Sequence, residues 1–436
     1  MQDDPRRRTP RTDAVLADER LADAGGRLGH ALLKRTVVEV LERCRAGEVA
    51  PDDVVAVVLA SVPRAASSLR EVVNATGVVV HTNLGRAPLS AAAREAVAVA
   101  TGATDVELDL ATGRRGPRGT GALDALAAAV PDAGGVHVIN NGAAALALVA
   151  SGLARGREVV VARGEMVEIG DGFRIPELLE SVGARLREVG TTNRVRLADY
   201  AAAIGTETAF LLKVHPSNFV VEGFTSTVSV AELATLDAPV VSDIGSGLLT
   251  AHPRLPDEPD AATQLRDGAD LVTASGDKLL GGPQCGLLLG RADLVQRLRR
   301  DPLARALRVD KLTLAALEAT LTGPQPPVVR ALAARTADLR PRARLLAGEL
   351  GADLAAAVPS EAAVGGGGAP GVVLPSAAVS LPAALAEPLR LGEPAVVGRV
   401  ASGRLLLDLL TVPPEDDARL VETVRRAAKQ LDGTGD

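Results

Sequence analysis

Between residues 118 and 290, short and almost wholly apolar runs alternate with Ala- and Leu-rich stretches: VHVIN (136–140), EVVVA (158–162), AFLLKV (209–214), APVVSD (238–243), DLVTAS (270–275) and CGLLLG (285–290). A strand that is apolar on both faces must be covered on both faces, and helical crossovers provide that cover. The pattern therefore predicts an α/β domain built on a mostly parallel sheet. With 436 residues the chain has room for more than this one domain.

Residues 1–12 are polar, with Arg6, Arg7, Arg8 and Arg11 among prolines, and read as a disordered basic arm. Over 13–70 the apolar positions recur at helical spacing (Leu32, Leu33, Val37, Val38, Val40, Leu41), which predicts a small helical domain. A β-branched run and an Asn-Leu-Gly turn near residue 71 open the catalytic α/β domain, taken as 71–325. Beyond it, a helix from about Lys311, a long helix over Pro327–Leu350, the turn GGGGAPG (365–371), a β-rich segment and a helix over Arg419–Leu431 give a small α+β domain, 326–436. No internal repeat is visible.

Composition excludes several classes. Aromatics are 1% of the chain, with no Trp, one Tyr and four Phe, so Ala, Val and Leu must fill the core and no extended base-stacking platform is available. At a net charge of −6, nucleic-acid contact requires a local basic patch. Cys44 and Cys285 stand far apart, and the five histidines form no ligand-like spacing, so neither a disulfide framework nor a metal site is expected. No leader-like or membrane-spanning apolar segment is present, and a cytoplasmic protein without membrane contact is the expectation.

Only five lysines occur: 34, 213, 278, 311 and 429. Lys278, in SGDKLLGGPQCG, follows an apolar strand in a turn of small residues, where a side chain can reach a ligand at the carboxyl end of the sheet. A lysine in such a turn can equally be a surface residue. Lys213 ends a strand and is the weaker competitor. Asp243 ends another buried strand, 35 residues before Lys278. A carboxylate there can pair with a protonated pyridine nitrogen while Lys278 forms a Schiff base with the aldehyde of pyridoxal phosphate. A strand-ending Asp is by itself a common turn residue. In VINNGAAALALVASGL a strand runs through Asn140, Asn141 and Gly142 into a helix, whose first amides, Gly142 to Ala144, can bind a phosphate dianion. Ser275 can add a hydroxyl. Phosphate loop, carboxylate and lysine, in that chain order, are what a fold-type I pyridoxal phosphate enzyme requires.

The strings VNATGVVVHTNLGRAPLS, RGEMVEIGDGFRIP, VGTTNR, KVHPSNF, SDIGSG, SGDKLLGGPQCG and RALRVDKLTLAALEATL together resemble the bacterial selenocysteine synthase family, the L-seryl-tRNA(Sec) selenium transferases. The likeness runs from about residue 20 to the end. It implies a fold-type I (aspartate aminotransferase-like) domain, an N-terminal domain that contacts tRNA, and pyridoxal 5'-phosphate held by Lys278 with Asp243 on its ring nitrogen. The implied reaction removes the serine hydroxyl of Ser-tRNA(Sec) and adds selenium from selenophosphate. Arg86, Arg305 and Arg308 match positions that bind the anionic selenium donor, and His215, Thr191 and Thr192 would bound the substrate site, with Asn218 near the cofactor's phenolic oxygen. Glu165 and Phe173 could pack near the ring and are given no role. Cys285 reads as a small buried residue. Residues 114–120, RRGPRGT, depart from the family pattern, where a tyrosine is common. Relatives form a homodecamer, a pentamer of dimers. The rival reading is a pyridoxal phosphate lyase acting on a small amino acid or amino-sugar acid phosphate, which would have no use for the helical module. A tRNA-binding protein that kept the fold without the chemistry would be expected to lack Lys278 or Asp243.

Overall fold

The computed structural model describes residues 8–63, 65–170 and 172–432. Arg6 and Arg7 of the basic arm lie outside the described residues. Contacts divide the chain into two compact units, Met1–Glu71 and Val72–Asp436.

In the N-terminal unit, the helix His30–Arg45 places Leu33, Val37, Val40, Leu41 and Cys44 on one buried stripe. Three- and four-residue steps between them keep these side chains on one face. The helices Thr12–Leu16, Ala22–Leu28 and Val54–Ser61 contribute Val15, Ala24, Leu28, Val54 and Val58 to the same core. Cys44 is a free, buried thiol in it.

The larger unit opens with strands β1 (Val72–Ala75) and β2 (Val78–Val80), followed by a short exposed ribbon of β3 (Leu108–Asp109) and β4 (Arg114–Arg115). The central sheet is then laid down by β5 (Gly135–Ile139), β6 (Glu158–Ala162), β9 (Arg185–Val189), β10 (Thr208–Val214), β11 (Val240–Asp243), β12 (Leu271–Ser275) and β13 (Gly286–Gly290), with a small hairpin of β7 (Glu168–Ile169) and β8 (Phe173–Arg174) inserted after β6. Its order is β5-β13-β12-β11-β10-β6-β9. All neighbours are parallel except β13, which is antiparallel to both β12 and β5. The six apolar runs of the sequence are six of these strands. The seventh, β9, went unread because it is an edge strand: RLREV carries charge along its length and buries only Val189 fully.

The second sheet contains β14 (Ala356–Gly365), β15 (Val373–Pro382), β16 (Ala395–Ala401) and β17 (Arg404–Asp408), in the order β1-β16-β17-β15-β14-β2. Residues 72–80, read from sequence as the start of the catalytic domain, instead supply both edges of this C-terminal sheet. β1 runs parallel to β16 and β2 parallel to β14. An apolar β-branched run shows that a strand will form but not which sheet it will join. The helix expected over Pro327–Leu350 is two helices, Pro327–Ala333 and Thr336–Leu350. The chain is extended at Ala334, and Arg254 donates to the carbonyls of Leu332 and Ala334, both at 2.8 Å, which satisfies the first helix's end. Among the described residues no helix is long and apolar enough to cross a membrane.

The C-terminal sheet is tied to its edge strands by one buried charge. Asp408, with no exposed side-chain surface, accepts hydrogen bonds from Ser360 (2.5 Å), Ser376 (2.6 Å), the Leu410 amide (3.1 Å) and Arg399 (3.1 Å), and Arg399 also donates to the Thr76 carbonyl between β1 and β2. Replacing Asp408 with Ala leaves a half-buried guanidinium and two hydroxyls without their acceptor. We expect a loss of about 3 kcal/mol, seen as a lower urea midpoint for the larger unit, with Asp408→Asn losing less.

Candidate functional site

Parallel pairing of β11 with β12 sets Asp243 opposite Thr273, and the Thr273 hydroxyl donates to Asp243 Oδ1 at 2.6 Å. Two residues beyond Thr273 the strand ends at Ser275, and the turn that follows carries Asp277 and Lys278. Both ends lie on the carboxyl edge of the sheet, where α/β folds bind ligands. The turn GGGGAPG of the C-terminal lobe closes over the lysine. A Cβ added at Gly367 would stand 2.6 Å from Lys278 Nζ, and the residue's φ of +90° already favours glycine. The run is the turn that its glycines predict, and it also forms the wall of the lysine's pocket.

Burial pulls the Lys278 amine below the ordinary lysine range, against the charge of Asp243, and the nearby Arg86 guanidinium pulls it further. Burial likewise pushes the Asp243 carboxyl up, opposed by the Thr273 hydroxyl and the charges of Lys278 and His215. The two groups thus feel each other across a dry site. Lys213 is different: its amine donates to Glu165 at 2.5 Å, and the other Glu165 oxygen accepts from the Val214 amide at 2.9 Å, so it is held in an ion pair. Glu165, given no role from sequence, fixes that pair.

At the end of β5, Asn141 caps the helix Gly142–Ala154 by accepting from the Ala144 amide at 2.8 Å. Of the three amides expected to bind a phosphate, Ala144 is therefore already used. Gly142 and Ala143 stand at the helix start, where no intrahelical acceptor exists. Ser275 is beside them: a Cβ at Gly142 would come within 2.6 Å of its hydroxyl.

Arg86 reaches the site. Its guanidinium donates to Asp277 Oδ2 at 2.6 Å, and its backbone takes a left-handed φ of 66°. Arg305 and Arg308 are exposed. Leu307, between them, accepts from the Asn140 amide at 2.9 Å, which puts their segment beside the phosphate loop, and Arg308 lies 3.7 Å from Glu107. Arg86 is close enough for its charge to act on Lys278. Asn218, expected near the cofactor's phenolic oxygen, is exposed, donates to the Glu168 carbonyl at 3.3 Å and lines a cavity with Gly366 and Gly367. Ser217, which no sequence pattern marks, is buried, and a Cβ at Gly245 would stand 3.6 Å from its hydroxyl and 3.8 Å from Lys278 Nζ.

His215 follows β10, donates its amide to the Asp243 carbonyl (3.0 Å) and pairs through Nε2 with Glu258 at 3.1 Å. The same Glu258 oxygen accepts from the Ala369 amide in the glycine-rich turn at 2.5 Å. A buried carboxylate thus joins the β10 end to the wall of the lysine's pocket, a link that no sequence pattern marked. Thr191 and Thr192 lie beside His215 on a cavity of about 500 Å³, with Thr191 holding its own turn through the Arg194 carbonyl at 3.1 Å. Cys285 is buried, and burial pushes its thiol up to about 12.

The arrangement offers an amine for an aldehyde, a carboxylate for a protonated ring nitrogen, and two amides with a hydroxyl for a phosphate. These are the three poles of pyridoxal phosphate. The family model described as L-seryl-tRNA selenium transferase matches residues 72–413, and the one described as selenocysteine synthase N terminal matches residues 6–45. The chain is 47% identical over 392 residues to the L-seryl-tRNA(Sec) selenium transferase of Solidesulfovibrio magneticus, a match covering 83% of this chain and 82% of that one. It is 41% identical over 457 residues to the enzyme of the same name from Hyphomonas neptunium, covering 97% of this chain and 98% of that one. Among solved structures, D-glucosaminate-6-phosphate ammonia-lyase superposes with a TM-score of 0.59 at 21% identity, covering 83% of this chain and 96% of that one. The fold is that of the fold-type I pyridoxal phosphate enzymes.

The electrostatics of Lys278 can be read directly. In cofactor-free protein, trapping of a small aldehyde by borohydride at Lys278, followed by peptide mapping, should reach half its maximum at a lower pH than at an exposed lysine. Asp243→Asn removes a charge that holds the proton on the amine and should move that midpoint further down; Arg86→Ala should move it up.

Proposed function

Because the chain belongs to the L-seryl-tRNA(Sec) selenium transferase family, we propose that it converts Ser-tRNA(Sec) to selenocysteinyl-tRNA(Sec), with selenophosphate as the selenium donor. The observation that carries the reading is the meeting of Lys278 and Asp243 at adjacent strand ends, with a phosphate-binding helix start beside them. Pyridoxal phosphate, when bound, supplies the electron sink that lets the seryl hydroxyl leave and a selenium nucleophile add at the same carbon.

The chain's own residues hold and time that chemistry. The Gly142 and Ala143 amides and the Ser275 hydroxyl would bind the phosphate group, and the Asp243 carboxylate would keep a proton on the ring nitrogen. Lys278 would bind the aldehyde and, once displaced by the seryl amine, take up the α-proton; its lowered proton affinity favours the neutral amine that this step needs. Arg86, oriented by Asp277, would receive the anionic donor, with Arg305 and Arg308 as further anion contacts. His215, Thr191 and Thr192 would border the seryl group. The overall exchange balances: the serine hydroxyl is replaced by a selenol, and orthophosphate carries away the oxygen.

We assign the N-terminal unit to tRNA contact, since docking a large substrate through remote contacts is what such a module adds. The match over residues 6–45 favours this enzyme over the lyase acting on a small amino acid or amino-sugar acid phosphate. A cytoplasmic homodecamer, a pentamer of dimers, completes the reading.

The assay is conversion of Ser-tRNA(Sec) with selenophosphate by the holoenzyme, with Ser-tRNA(Ser) and free serine as controls. Only Ser-tRNA(Sec) should be converted, and Lys278→Ala should lower the rate by at least about 1,000-fold. Turnover of free serine alone would favour the lyase, and an unchanged rate in Lys278→Ala would overturn the mechanism.

A further inference from the structure

Aromatic side chains are so scarce in this chain that their placement is informative. Tyr200 and Phe210 are fully buried, yet the other three phenylalanines stand outside the core: Phe173 is 36% exposed, Phe219 39% and Phe224 78%. Phe219 lines the 500 Å³ cavity at the carboxyl ends of β6, β9 and β10. Phe224 lies beside it, with the Arg194 guanidinium over its ring at 4.2 Å from the centroid, and Arg194 itself lines the cavity. On the neighbouring β7–β8 hairpin, Phe173 is one strand across from Ile169.

Arg194 and Glu258 also line the cavity; Arg194 Nε and Glu258 Oε1 are buried away from solvent and have no hydrogen-bond partner. The cavity therefore carries stacking surface at one end. Its size is that of a site for a small organic ligand. Ala369 lines it, and Ala369 is two residues from Gly367, whose added Cβ would touch Lys278 Nζ. Two residues span at most about 7 Å, which is the order of the distance from an α-amine through an ester to a ribose.

Resting on the proposed activity, we propose that this cavity binds a purine nucleoside, the 3′-terminal adenosine to which the seryl group is esterified. Its base stacks against Phe219 and the Phe224-backed guanidinium of Arg194 while the ester reaches Lys278. Aromatic rings and guanidinium planes are the usual partners of unstacked bases.

The test uses holoenzyme and tRNA(Sec) whose terminal adenosine is replaced by 2-aminopurine riboside. Stacking should quench the probe at least about 3-fold on binding. Phe219→Ala, Phe224→Ala and Arg194→Ala should each return most of the fluorescence in complexes saturated with enzyme. Phe224 is exposed, so its variant poses no folding problem. An unquenched probe in the bound complex, or quenching that survives all three variants, overturns the subsite. Adenosine monophosphate distinguishes the other source of this chemistry: if it displaces the quench at micromolar concentration, the cavity serves a free nucleotide and the proposal fails. Conversion of Ser-tRNA(Sec) by the same preparation reads the activity separately. Conversion without quenching removes the subsite alone, and quenching without conversion removes the assigned activity alone.

Discussion

The site depends on the parallel register between β11 and β12. That register puts Asp243 opposite Thr273 and the lysine-bearing turn just past Ser275, so a carboxylate and an amine end up in one dry region at the carboxyl edge of the sheet. Either charge alone would be costly to bury, and removing one partner of such a pair is more damaging than replacing both. The shifts of the two groups reflect this, each driven by burial toward its neutral form and opposed by the other's charge. A one-residue slip would turn Asp243 to the opposite face of the sheet. The bonds that resist it are those of a strand pair buried on both sides, which is why the apolar runs matter to the chemistry.

Much of the central sheet could be read from sequence because burial on both faces leaves a local trace, an unbroken apolar run of strand length. β9 left none, since one flank of an edge strand meets solvent and RLREV satisfies that with charge. Nor did residues 72–80 disclose their destination. Their partners, Ala395–Gly398 and Ala363–Gly365, lie near the other end of the chain, and β-propensity says nothing about pairing across such a separation. The split of the long C-terminal helix has the same origin: what ends its first part is Arg254, some 80 residues upstream.

Within the site, Lys278, Asp243 and the Asn141 loop were legible because each ends an apolar strand and the chemistry needs all three at one edge. The string HPSNF names a segment and not the direction of each side chain. Ser217 and Asn218 are adjacent, and only the turn after Pro216 decides that Ser217 faces inward and Asn218 meets the Glu168 carbonyl. Gly367 and Glu258 had no local signal at all. Glu258 matters through bonds to His215 and Ala369, 43 and 111 residues away in sequence, and a glycine against a lysine's amine is visible only once the two lobes' strands are in place.

The same geometry separates the two strand-end lysines. Lys213 lies in β10 opposite Ser242, one residue out of step with the Val214–Asp243 pair, so its side chain leaves the opposite face of the sheet from Asp243. Glu165 holds its amine there. One carboxylate oxygen receives the Lys213 amine and the other receives the Val214 amide, so the carboxylate is fixed by the strand whose lysine it holds. Burial pushes Glu165 toward its neutral form, and the amine beside it is what opposes that push, so the ion pair is self-supporting. Among the described residues no carboxylate makes such a contact with Lys278, and the acidic neighbour in its own turn, Asp277, is engaged by Arg86 at 2.6 Å. One amine is held in a salt bridge and the other is left with its proton loosely bound. That contrast comes from how neighbouring carboxylates are occupied, and it selects the reactive lysine.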